Sequence, residues 1–135
     1  MKEQNVITID RLMWQIVEEK MSWNEAIKYV EKLNLDKYAG YNDWRLPTIK
    51  ELENVVKVCG GRVTKVDDEN WDNMRNENLQ NTSYEDTYKK KGFNGDYYHS
   101  STYDDSSAYG IDFSDGNSMR QHKTHNGYVK CVRVI

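Results

Sequence analysis

Asp43-Trp44-Arg45-Leu46-Pro47, followed by Thr48-x-x-Glu51, is the stretch that most restricts what this chain can fold into. It joins the chain's only proline to a tryptophan, to ion-pair candidates in Asp43 and Arg45, and to a helix start. Pro47 pushes Leu46 toward extended backbone. Thr48 and Glu51 have capping-box spacing, in which hydroxyl and carboxylate each accept an N–H from the other end of the first turn. A helix therefore opens at Thr48 and an extended, closely held segment leads into it. Trp44 and Leu46 are expected to plug the core. Arg45, with five donors in a planar fork, is expected to pair with a carboxylate or with loop carbonyls. Nothing in the stretch is catalytic in character; it reads as a structural signature.

A second capping box, Ser22 with Glu25, opens an earlier helix, and Met21 and Ala26 suit a hydrophobic staple across its start. Trp23, Ala26, Ile27, Val30 and Leu33 recur at helical spacing, and this helix is expected to end near Asn34. Ile49, Leu52, Val55 and Val56 form the apolar stripe of the helix after Pro47, which Cys59-Gly60-Gly61 terminates. Val6–Ile9 and Leu12–Val17 read as strands with a bend at Asp10-Arg11. Tyr97–Ser101, Ala108–Phe113, Met119–His122 and Tyr128–Val134 read as further strands, and Asp115-Gly116 is a hairpin signal. Between helices and strands, 63–96 is rich in Asn, Asp and Glu and is expected to be a long irregular segment anchored by Trp71, Leu79 and Phe93. The expectation is one α+β domain over 1–135, with two helices flanking a mainly antiparallel twisted sheet.

Ten tyrosines and four tryptophans argue against disorder and imply a core built largely from aromatic rings. A net charge of -3 offers no basic field for a phosphate backbone, and the one dense basic run, Lys89-Lys90-Lys91, is preceded by Glu85 and Asp86, so no nucleic-acid partner is expected. No apolar run approaches the roughly 20 residues of a membrane helix, so no membrane partner is expected either. Met1-Lys2-Glu3-Gln4-Asn5 leads into no apolar segment of signal-peptide type, and a cytoplasmic location is expected. Cys59 and Cys131 are then free thiols, with Cys131 a small buried hydrophobe in its strand.

Several short elements carry a family resemblance. Arg11-Leu12-Met13-Trp14-Gln15 is similar to "GLMWQ", and Ser22-Trp23-Asn24-Glu25-Ala26 to "TWxxA". Tyr41 to Thr48, continued by Glu51-Leu52, resembles "GYSDWRLPT". Tyr98-His99-Ser100-Ser101-Thr102 resembles "YWSST", Ile111 to Gly116 resembles "VDFSDG", and Val129 to Arg133 resembles "VRCVR". In this order they resemble the Legionella collagen-like protein C-terminal domain family over nearly the whole chain. The resemblance implies a C-type-lectin-like fold, related in architecture to formylglycine-generating enzymes and to phage and retroelement-diversified receptors. In that fold the N- and C-terminal strands pair and a long loop region carries ligand contacts. Trp14, Trp23 and Asp43 to Pro47 fall on its structural hallmark. The resemblance also implies a non-enzymatic role, and the family's namesake binds sulfated glycans at the cell surface. Family members often carry a cysteine where Val30 stands, which could pair with the terminal-strand cysteine. Its absence here, together with the expectation of no leader, suggests an intracellular version of the domain.

The candidate sites follow from side-chain chemistry. His122 and His125 are spaced as two metal ligands, yet zinc wants three or four and His99 is the only other histidine. Asp104-Asp105 and Asp67-Asp68-Glu69 leave room for a structural calcium, while the Glu-Pro-Asn and Gln-Pro-Asp signatures of calcium-dependent sugar binding are absent. No cofactor is otherwise expected, and neither cysteine has an activating base nearby in sequence. The expected ligand surface is the C-terminal β region: Tyr98, Tyr103, Asp104, Asp105, Tyr109, Asn117, Arg120, His122, His125 and Tyr128, a composition typical of adaptable binding surfaces. The expected function is non-enzymatic recognition of a protein partner, as a bacterial or phage adaptor or inhibitor. The alternatives are a sulfated-glycan adhesin domain and a metal enzyme of the formylglycine-generating type.

Overall fold

A computed structural model describes residues 6–135; Met1 to Asn5, on which the expectation of no signal-type segment rests, lie outside them. The chain opens with a hairpin of β1 (Val6–Ile9) and β2 (Leu12–Gln15), turned at Asp10 with a φ of 56°. A short strand not foreseen from the sequence, β3 (Glu19–Ser22), leads into α1 (Trp23–Leu35). After a 3-10 turn at Tyr38–Gly40 come α2 (Ile49–Val58), α3 (Trp71–Gln80) and α4 (Thr82–Lys90). The remainder is β4 (Tyr97–Tyr103), β5 (Ser107–Asp112), β6 (Asn117–His122), β7 (Asn126–Val129) and β8 (Val132–Val134). The expected α+β class is the one observed.

The strands form two sheets rather than one, a three-stranded sheet ordered β1-β2-β8 and a five-stranded sheet ordered β3-β7-β4-β5-β6. Every ladder is antiparallel except the Tyr98–Tyr128 pairing between β4 and β7. The two terminal strands share a sheet but do not pair directly, because β2 stands between them. Tyr128–Val134, expected as one strand, is two. The chain leaves the large sheet after Val129 and enters the small one at Val132. Lys130 and Cys131 make the crossing inside the protein: the Cys131 N–H donates to Gln15 Oε1 at 2.8 Å, and Lys130 Nζ donates to the Gln15 carbonyl at 2.9 Å.

The expected irregular segment 63–96 is corrected by α3 and α4. Its polar composition hid them for two physical reasons. The buried face of α4 is made by Tyr84 and Tyr88, one helical turn apart, and the Tyr84 hydroxyl donates to the Phe113 carbonyl at 2.6 Å. Helix α3 is fastened mostly by polar bonds. Asn78 is buried, accepts from the Arg62 N–H at 2.9 Å and donates to the Asp115 carbonyl at 2.8 Å; Arg75 pairs with Asp115 at 2.9 Å. Phe93 is an anchor as expected and Trp71 is half-buried, but Leu79 is exposed.

One core cluster gathers Trp14, Leu52, Tyr84, Tyr88, Phe93, Tyr98 and Phe113; Phe93 stacks on Phe113 at 4.7 Å. The other gathers Trp23, Ala26, Trp44, Leu46, Val129 and Cys131. Full burial of one such side chain contributes about 1.5–3 kcal/mol.

The stretch around Pro47 ties both sheets to α2. Trp44 and Leu46 are buried. Arg45 exchanges backbone bonds of 2.9 and 2.8 Å with Val132, adding a rung to β8, and the Pro47 carbonyl accepts the Ser101 N–H of β4 at 2.7 Å. Asp43 pairs with Arg133 of β8 at 2.6 Å. Arg45 grips Glu51 with two bonds of 2.8 and 2.9 Å, while the same carboxylate accepts the Thr48 N–H at 2.8 Å.

Arg45 and these capping bonds hold the Glu51 carboxyl below its ordinary value. A depressed carboxyl contributes stability that is present above the unfolded value near 4.5 and lost as pH falls through the folded one. Glu51→Gln is therefore expected to cost about 1 kcal/mol at neutral pH, allowing for the solvent access of the pair. Denaturant melts from pH 6 downward should show the variant losing less stability with acid than the parent. Parallel acid limbs would disprove this role.

Candidate functional site

The far ends of β4, β5 and β6 build an exposed tip. Tyr103, last in β4, is 61% exposed. Its ring leans on Trp23 of α1 at 5.1 Å, and Lys123 Nζ lies 4.6 Å from the Tyr103 ring and 5.0 Å from that of Trp23. Asp104 accepts the Ser107 N–H at 3.0 Å and pairs with Arg120 of β6 at 3.1 Å. The Ser107 N–H first, with help from Arg120, holds its carboxyl below the usual range. The Asp105 carbonyl accepts from Lys123 Nζ at 3.1 Å. Half-buried Tyr109 pairs across the ladder with Arg120, and Ser107 with His122, whose Nδ1 meets Thr124 Oγ1 at 2.8 Å. The tip is thus fixed by its own contacts while its side chains face water.

Two grooves flank it. One, of about 640 Å³, lies between α1 and the tip and is lined by Trp23, Ile27, Lys28, Tyr103 and Lys123 among others. The other, of about 590 Å³, runs beside β6 and is lined by Ile49, Lys65, Val66, Tyr109, Met119 and Arg120 among others. Ile27 and Lys28 were not in the expected surface, nor was Lys123, which lies between His122 and His125 in sequence. The signal for Ile27 was its place at the edge of the α1 stripe, where a helical apolar face meets water.

The structure brings Tyr103, Asp104, Asp105, Tyr109, Arg120 and His122 together, but not all of the expected surface. Tyr98 is a correction. It faces Ile111 across the ladder on the core side of the sheet and is completely buried. Its hydroxyl donates to Glu18 at 2.8 Å and accepts the Asn94 N–H at 2.7 Å, and burial pushes it far above the ordinary phenol value. Tyr128 is half-buried against Tyr98, toward the β3 edge under Lys20. Asn117 lies at the opposite end of β6, where its Oδ1 accepts from the Trp71 indole at 2.9 Å. His125 is exposed and stands edge-on to Tyr97 at 5.6 Å.

Among the described residues no group of three or more His, Cys, Asp or Glu side chains is placed to hold a metal ion. His99 is buried, with Nε2 at 2.7 Å from the Met21 carbonyl. Cys59 and Cys131 are free and buried; burial raises both thiols, that of Cys131 to about 12. Neither has the exposed, electropositive setting of a reactive thiolate. No helix among the described residues is long and apolar enough to cross a membrane.

Residues 8–133 match the Lcl C-terminal domain family. The chain belongs to this family. As an Lcl C-terminal domain it matches from within β1 to within β8, so the match takes in both sheets, the stretch around Pro47 and the exposed tip. No curated protein matches the chain.

Proposed function

We propose that this Lcl C-terminal domain is a non-enzymatic, cytoplasmic binding module that recognises a protein partner through the tip of β4, β5 and β6. The observation that carries the reading is Tyr103: a large exposed ring held in one orientation by Trp23 and Lys123, beside an Arg120–Asp104 pair. Tyrosine and arginine are enriched among the residues that dominate binding energy, and a ring ordered in advance loses little entropy on docking. The burial of both free thiols supports a non-enzymatic reading. A bacterial or phage adaptor or inhibitor fits such a module.

Affinity capture from the native cell should recover a partner with the parent chain. Tyr103→Ala and Arg120→Ala should each weaken that capture by about tenfold or more, the scale of an interface hot spot. Retention of every partner by both variants would show the tip to be the wrong surface.

A second reading has its own observation. Lys28 and Lys123 flank the aromatic groove between α1 and the tip, an arrangement suited to a sulfated sugar ring. Salt-sensitive retention on a heparin column, lost in Lys123→Glu, would favour it; unretained parent protein would remove it.

A further inference from the structure

Strand β6 is the outer strand of its sheet. Its Ser118 N–H points away from β5 and donates to the Thr64 carbonyl at 2.8 Å, and the Thr64 N–H returns a 2.8 Å bond to the Gly116 carbonyl. Backbone direction alternates along a strand, so the groups of Arg120 and His122 also point outward, while Asn117, Met119 and Gln121 face β5. Thr64 is therefore a single residue added in parallel to β6. The next rung of that ladder would join Val66 to Ser118. It is not made, because the chain turns away, with the Asp68 N–H bonded to the Lys65 carbonyl at 2.9 Å. The Ser118 carbonyl, both backbone groups of Arg120 and the His122 N–H consequently have no backbone partner among the described residues. What lies beside them is the groove of about 590 Å³, with Val66, 72% exposed, on its far wall.

We propose that this edge is where an extended segment of a protein partner docks, adding to β6 as a sixth strand parallel to it and in line with Thr64. This rests on the protein-partner reading above and supplies its mode of recognition. The chemistry is that of an extended backbone. Donors and acceptors at strand spacing, two residues apart, are met by another strand and not by a sugar or a helix. Alternate residues of the segment would lie over Tyr109 and Ile49, which favours apolar or aromatic side chains at every second position. A second copy of this chain is the poorer occupant. Two β6 edges paired antiparallel about Arg120 would set like charges directly opposite each other, which is destabilising.

The test uses short random linear peptides displayed on phage, selected on the full chain. Affinities of the selected peptides are then compared for the parent, Arg120→Ala and Arg120→Pro. Both variants lose the side chain, but only proline loses the outward N–H, and an outward position on an edge strand tolerates proline. Arg120→Pro is expected to bind at least about tenfold more weakly than Arg120→Ala. In the parent, peptide binding should slow hydrogen exchange at the Arg120 and His122 amides, a readout that does not depend on how any variant folds. Equal affinities for the two variants, unchanged exchange at both amides, no selectable peptide, or β6 amides already protected by self-association would each overturn strand addition. A cellular partner weakened in Tyr103→Ala and Arg120→Ala, but captured by Arg120→Pro as well as by Arg120→Ala, would sink strand addition alone. A partner kept in Tyr103→Ala and Arg120→Ala would sink the tip reading itself.

Discussion

Lys130→Met is expected to remove about 3–5 kcal/mol from the stability of this fold, the cost of breaking a buried ion pair by deleting one partner. The Lys130 side chain is fully buried. Its ammonium donates to the carbonyls of Gln15 and Ile16 and pairs with Glu18 Oε1 at 3.2 Å. Glu18 in turn accepts from the Tyr98 hydroxyl and the Asn94 side chain. Methionine fills the volume but supplies no charge and no donor. It would leave two carbonyls unpaired and a carboxylate with little access to water. The lost bonds also sit where the chain passes from β7 to β8, so the two sheets should loosen together. Denaturant unfolding measures the loss. Lys130→Met combined with Glu18→Gln should recover part of it, since the stranded charge is then gone. A single-variant loss below about 1 kcal/mol would mean that water reaches this lysine and that the crossing is held by apolar packing alone.

Gly110→Ala is the second substitution expected to be severe, at about 3 kcal/mol, the upper range for overpacking in a tight interior. Gly110 lies in β5, opposite His99 of β4. A methyl group there would stand 2.3 Å from the Tyr98 carbonyl oxygen and 2.4 Å from Tyr97 Cζ. The first of these is backbone of the neighbouring strand, so relief requires β4 and β5 to move apart. The Tyr97 ring cannot simply swing away, since it also closes on Gly127, where an added Cβ would be 2.6 Å from its Cδ2. Gly40→Ala is the control: its φ is +90° but no atom lies within 4 Å, so it should cost only backbone strain, on the order of 1 kcal/mol. Thermal melts of the two variants would rank them, and a Gly110→Ala melt no lower than that of Gly40→Ala would contradict the packing described. Because β4 and β5 carry Tyr103 and Tyr109, Gly110→Ala should also weaken partner capture without touching the tip.

The exposed tip was partly legible because much of its chemistry is local. Tyr103, Asp104 and Asp105 are consecutive polar residues at a turn, and Arg120 and His122 alternate on one strand. Tyr98 was misread because a tyrosine's composition is the same inside and outside; only the ladder to Ile111 and the Glu18 carboxylate, eighty positions away, decide its side. Lys123 was passed over because its value lies in two rings, Trp23 and Tyr103, that sequence distance separates from it. The outward edge of β6 was invisible for a similar reason. Thr64 reveals it, from the segment expected to be irregular.

By itself the sequence determined where α1 and α2 begin, that the region around Pro47 is structural, and that the chain from Tyr97 onward is built of short strands. Each of these rests on rules spanning a few residues: a hydroxyl and a carboxylate three apart, a proline's fixed φ, a two-residue alternation. Only the tertiary structure decided that α3 and α4 exist, that the last strand divides between two sheets, and which tyrosines are core. Those outcomes turn on partners far along the chain. Asn78 meets Asp115, Tyr84 meets Phe113 and Lys130 meets Glu18, and in each case a polar atom is buried because a distant group was there to pair with it.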